Sequence, residues 1–96
     1  MVIIWNDDPT WEWWREMNPR GFALVSNVPP DGNYLMLHSI GCPTIRDRPA
    51  RGEKWTVDYS KVCSEKREDI EQWSQKSFGK QPDICQLCRC ERFRDQ

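Results

Sequence analysis

Apolar clusters separated by turn-forming residues set the rhythm of this chain. Trp11, Trp13, Trp14 and Met17 cover a wide arc at helical spacing, with Glu12, Arg15 and Glu16 facing water. Asp7-Asp8-Pro9-Thr10 reads as the start of this helix, with Asp8 as N-cap and Pro9 in the first turn. Asn18-Pro19-Arg20-Gly21 stops it. A helix this short depends on tertiary packing of its tryptophans to stay folded.

Two apolar runs follow. Residues 22–27 and 34–38 read as strands, and the turn-rich stretch Val28-Pro29-Pro30-Asp31-Gly32-Asn33 between them predicts an antiparallel hairpin with a long loop. Residues 42–52 are irregular. Over 54–62, Trp55, Val57, Tyr59 and Val62 alternate in part, which predicts a third strand. Ser64 suits the N-cap of a helix over 65–78, with acidic residues early and Lys76 late. Ile70, Trp73 and Phe78 form its buried stripe, and Gly79 is its expected C-cap. The fold class that emerges is α+β: a small antiparallel sheet of about three strands, with an N-terminal and a C-terminal helix. Residues 1–90 read as a single domain, and 91–96 as a charged C-terminal tail.

Composition sharpens this picture. Apolar residues make up 38% of the 96 positions and charged residues 30%, so the core is thin for a domain of this size. Six tryptophans and five cysteines are the features able to compensate, by large buried area and by metal binding. The stretch Val2-Ile3-Ile4-Trp5 is too short for a secretory signal and meets Asp7-Asp8 at once. No segment approaches the ~18 apolar residues of a membrane span. The expected compartment is therefore the cytoplasm, where thiols stay reduced and metal binding is favoured over disulfides. The odd cysteine count agrees with this.

The chemistry lies in two pairs. Cys85-x-x-Cys88 has the spacing at which two thiolates bind one metal from a tight turn. His38-x3-Cys42 sits where a predicted strand passes into a loop. Together they offer a Cys3His shell for structural zinc, with Zn–S near ~2.3 Å and Zn–N near ~2.0–2.1 Å. Soft thiolates favour Zn2+ over magnesium or calcium. Reduced core cysteines and disulfides are the alternatives. Cys63 reads best as a core thiol, whereas Cys90 is either a spare thiol or a substitute ligand.

In the same order, Tyr34-Leu35-x-Leu37-His38-x3-Cys42 and Gly79-x-x-Pro82-x-x-Cys85-x-x-Cys88 resemble the Ada-type zinc module of the bacterial alkylation-response protein. Related small domains are attached to nucleases and competence proteins. The likeness covers roughly 34–88. Proline does not directly precede Cys85, and His38 stands where the alkylation-response protein has a cysteine, so its methyl-transfer activity is not carried over. A wider match, through Asn18-Pro19-x-Gly21-Phe22 and Trp55-Thr56-x-x-Tyr59-x-Lys61-Val62-Cys63, resembles small bacterial domains without an established activity.

Charge decides little globally, since the net value is −1. Locally, residues 1–45 hold two basic against five acidic side chains, while Arg46, Arg48, Arg51 and Lys54 cluster beyond them. The Ada resemblance implies a nucleic-acid-binding module of DNA repair or defence. Arg46, Arg48, Arg51, Lys54 and Lys61 would then meet phosphates and Trp55 would stack on a base. A solvated loop is the plainer account of the same charges. The alternative function is a protein-interaction domain, for another protein or a fused domain, using Trp5, Trp11, Trp13 and Trp14. No acid–base or nucleophile set can be assembled, so no enzyme is expected and no small-molecule substrate is identified.

Overall fold

A computed structural model describes residues 1–46 and 54–87, the side chains of Thr44 and Arg46 excepted. In chain order the elements are β1 (Val2–Ile4), α1 (Asp8–Met17), β2 (Phe22–Ser26), β3 (Leu35–Ser39), the single turn α2 (Pro43–Arg46), β4 (Ser60–Ser64), α3 (Arg67–Phe78) and β5 (Asp83–Ile84). The strands form one sheet in the order β1-β4-β2-β3-β5. Every neighbouring pair is antiparallel except β3 and β5, which run parallel. The α+β class with a helix toward each end stands. The expectation of about three antiparallel strands does not, because the sheet has five and is mixed.

β2 is the spine of this sheet. All five of its residues are buried, and each is registered on both sides, with Leu24 between Leu37 and Val62. A strand loses its usual in–out alternation when both sheet faces are covered. One face carries Ile4, Ala23, Val25 and Cys63 beneath Trp11 and Trp14 of α1. The other carries Phe22, Leu24, Leu35, Leu37 and Val62 against Ile70 of α3. Trp73 and Phe78 close that second layer edge-on, with ring centroids 5.3 Å apart. The expected hairpin 22–27/34–38 is therefore present as β2–β3, shifted by one residue at the second strand.

The start of α1 departs from expectation in an instructive way. Asp7, not Asp8, caps the helix, accepting from the backbone N–H of Thr10 at 3.2 Å and from its hydroxyl at 2.6 Å. Asp8 is left to bind a distant segment. Its carboxylate accepts from the N–H groups of Trp55 and Thr56, both at 2.8 Å, and from the Thr56 hydroxyl at 2.7 Å. Burial raises its pKa, but these three bonds outweigh burial, and the carboxyl ends up below its ordinary value. The same bonds draw the backbone at 55–56 onto α1, and β4 begins only at Ser60 rather than at 54. Trp11 and Trp14 are buried, which takes them out of the tryptophan surface offered to a partner. Trp13 is 60% exposed and Met17 is exposed with it, so the apolar arc is wider than the buried one.

Two glycines are fixed by space and by backbone. A Cβ at Gly21 would stand 2.8 Å from Cη2 of Trp14, so the turn after α1 packs directly under that ring. Gly79 closes α3 at φ 68°, the left-handed C-cap expected of it. At its other end, α3 starts at Arg67 rather than 65. Ser64 stays in β4 while its hydroxyl oxygen accepts from the N–H of Lys66 and its O–H donates to Asp69.

Truncating the spine should be expensive and trimming the exposed tryptophan should not. Leu24→Ala is expected to lower unfolding free energy by about 2–5 kcal/mol, and Trp13→Ala to change it by no more than about 0.5 kcal/mol. Denaturant titrations at one fixed metal load check both values.

Candidate metal centre

Three of the four sequence-predicted ligands come together. His38 is the fourth residue of β3, and its side chain lies on the face that also carries Ala23 and Cys63, its registered neighbours across the sheet. After β3 the chain turns tightly: the N–H of Cys42 donates to Ser39 O at 3.0 Å, and the N–H of Ile45 donates to Cys42 O at 3.1 Å. That turn folds Cys42 back toward His38. Cys85 arrives from the far end of the sequence. β5 lies along β3 with Ile84 opposite Leu37, and the N–H of Cys85 donates to Leu37 O at 3.0 Å. Because side chains alternate along a strand, Ile84 joins the α3 layer and Cys85 the opposite face, beside His38.

The ligand atoms of His38, Cys42 and Cys85 all lie within 4.8 Å of one another, and the residues are 6%, 1% and 7% exposed. The sulfurs of Cys42 and Cys85 are 3.8 Å apart. A disulfide would need ~2.05 Å. Two thiolates at tetrahedral positions around zinc, each ~2.3 Å from it, stand ~3.8 Å apart. The cluster could therefore hold a metal ion, the sulfur pair at the separation two thiolates take on one, with three ligands drawn from two separate regions of the sequence.

Electrostatics favour the ligand form of the imidazole. Burial, together with the positive charge of Lys61, lowers the His38 pKa to about 4, so the ring is neutral at ordinary pH and has a lone pair to give. Cys63 lies on the same face but is a core thiol. It is fully buried, and burial pushes its pKa up to about 12. This is the role expected of it.

The remaining candidates are scattered. Cys88 and Cys90 lie outside the described residues, as do Arg48 and Arg51 and the side chain of Arg46. Lys54 is exposed. Trp55 is half-buried, its ring 6.3 Å from that of Trp11 and stacked under Arg15. Lys61 is only 3% exposed. Its Nζ donates to Trp55 O at 2.9 Å and sits 5.6 Å from the Trp11 ring centroid, so in this fold it faces the core rather than a phosphate. What the sequence reading missed is the device that positions Cys85. Asp83-Ile84 carries one apolar residue, too little for a strand to be recognised from pattern alone.

Compared with protein-family models, with curated proteins and with solved structures, the chain matches none.

The depressed His38 pKa has a thermodynamic sign. An unfolded chain protonates this imidazole near pH 6.5 and the folded one only near 4, so the unfolded state binds the extra proton in between. Metal-free protein should keep this contribution above pH 6.5 and lose it as pH falls toward 4, at about 1.4 kcal/mol per pH unit. Denaturant midpoints in chelator between pH 7 and 4 test this. A His38→Ala variant should lack that slope.

Proposed function

We propose that the chain is a small zinc-binding domain in which His38, Cys42, Cys85 and Cys88 hold one structural Zn2+ ion. The observation that carries this reading is the convergence of three buried ligand atoms within 4.8 Å of one another, the two sulfurs 3.8 Å apart. Cys88 is the fourth ligand by its spacing from Cys85, and the resemblance to Ada-type modules favours the same set. When bound, the metal supplies a cross-link between the end of β3 and the residues that follow β5. Structural zinc in small domains contributes about 10–16 kcal/mol in apparent terms, enough to dominate a thin core. The reading is non-enzymatic, since a four-ligand shell leaves no open position for chemistry.

The biological role we favour second is protein interaction, because Trp13 and Met17 stand one helical turn apart on the exposed side of α1. A nucleic-acid role rests on Lys54 and on basic residues outside the described ones.

Purified protein should carry about one zinc per chain. Chelation should markedly lower the denaturant midpoint followed by circular dichroism. Cys42→Ser and Cys85→Ser should lose the metal, whereas Cys63→Ser should keep it. Cobalt-substituted protein should show thiolate charge-transfer bands that weaken in Cys88→Ser in proportion to the lost sulfur. Protein that is metal-free as purified, folded and indifferent to chelator would sink the proposal. For the interaction role, a photo-crosslinker at position 13 should give a discrete adduct in cells that one at position 76 does not. No adduct specific to position 13 counts against it.

A further inference from the structure

Two sulfurs held side by side have a second chemistry open to them besides metal binding. Sγ of Cys42 and Sγ of Cys85 are 3.8 Å apart, although the residues stand 43 positions apart in the chain. A disulfide needs ~2.05 Å, so closing one asks the sulfurs to approach by about 1.8 Å. Both residues are pinned to the same strand by their backbones: the N–H of Cys42 donates to Ser39 O and that of Cys85 to Leu37 O, each at 3.0 Å. The pair is thus held together by β3 itself. Neither residue lies inside a regular element, since Cys42 sits between β3 and α2 and Cys85 follows the last residue of β5. Side-chain rotation and a small backbone shift at those two ends supply the approach without disturbing β2 or β4.

Exposure sets an order of reaction. Cys85 is 7% exposed, Cys42 1% and Cys63 not at all. Cys63 is registered with Ala23, whose neighbour on the other side is His38, so strand β2 stands between it and the pair. A small oxidant arriving from solvent meets Cys85 first, and Cys42 is the thiol in contact with it.

We propose that Cys42 and Cys85 form a thiol–disulfide switch that a peroxide closes and a dithiol reductant reopens. The Cys85 thiolate attacks one peroxide oxygen: an S–O bond forms, the O–O bond breaks, and the other oxygen leaves as hydroxide. The Cys42 thiolate then attacks the sulfur of this sulfenic acid: the S–S bond forms, the S–O bond breaks, and a second hydroxide leaves. With a proton taken up by each hydroxide, two thiolates and one hydrogen peroxide become one disulfide and two waters, the sulfurs giving two electrons to the peroxide. A dithiol reverses the change by exchange and ends as its own disulfide. A disulfide sulfur is no longer a thiolate donor, so closure removes two of the proposed ligands. Loss of the metal follows, and this part rests on the zinc reading above. The disulfide joins the same two places that the metal would join, so the residues after β5 stay tethered in both states.

The test uses the full chain with metal as purified, its zinc content read before any oxidant is added. Hydrogen peroxide is supplied in small excess, remaining thiols are blocked, and linkages are mapped by mass spectrometry without reduction. Cys42 should be joined to Cys85 in most of the protein, with zinc passing to a colorimetric chelator in proportion. Dithiothreitol with added Zn2+ should restore the starting state. Cys63→Ser should behave as the parent chain does, and Cys88→Ser should still form the link between Cys42 and Cys85. A link from Cys85 to Cys88, oxidation of either thiol to sulfinic acid with no link, or a link that leaves the zinc in place overturns the proposal. Protein that carries no zinc before oxidation fails the zinc reading alone, and the mapped link then decides the switch by itself.

Discussion

Two residues of parallel pairing hold the C-terminal region against the sheet. Asp83 and Ile84 lie along Met36 and Leu37, and a single further backbone bond, from Cys85 to Leu37 O, finishes the join. A pairing this short has little stability of its own. It nevertheless sets the face on which Cys85 appears and hence its approach to His38 and Cys42. Under the zinc reading the dependence runs both ways: the short strand aims the thiolate, and the ion holds the strand.

Much of this architecture was legible in the residues, and the reasons for the exceptions are physical. The β2–β3 hairpin, the Gly79 cap, the buried Cys63 and the convergence of His38 with Cys42 and Cys85 all follow from local pattern or spacing. β1 and β5 escaped because three and two residues are too few to display a period. The late start of β4 was hidden for another reason. Its cause is Asp8, 47 residues away from Trp55, whose carboxylate draws residues 55–56 into a loop by three hydrogen bonds. No pattern within 54–62 carries that information. Lys61 was read as a surface cation by its type, yet the fold places it under aromatic rings.

That placement explains the tryptophan content better than size alone does. Trp11 is fully buried and touched by two cations, Arg15 at 5.8 Å and Lys61 at 5.6 Å from its ring centroid. Trp55 takes the other side of Arg15 at 5.1 Å. Aromatic faces are among the few apolar surfaces that tolerate a desolvated ammonium. Burial still lowers the Lys61 pKa to about 8, with Cys63 and the Asp8 carboxylate opposing the shift only in part. The tryptophans thus let a thin core enclose polar groups that aliphatic side chains would have excluded.

The sheet's outer margin at β1 has a consequence for solution behaviour. β1 pairs only with β4 among the described residues, and it stops after three positions where Asn6 turns the backbone to φ 53°. A long flat rim would invite strand-by-strand growth between molecules. A rim this brief, ended by a left-handed residue, offers a neighbouring polypeptide too few amides to latch onto, which helps keep copies of the domain apart even at high concentration.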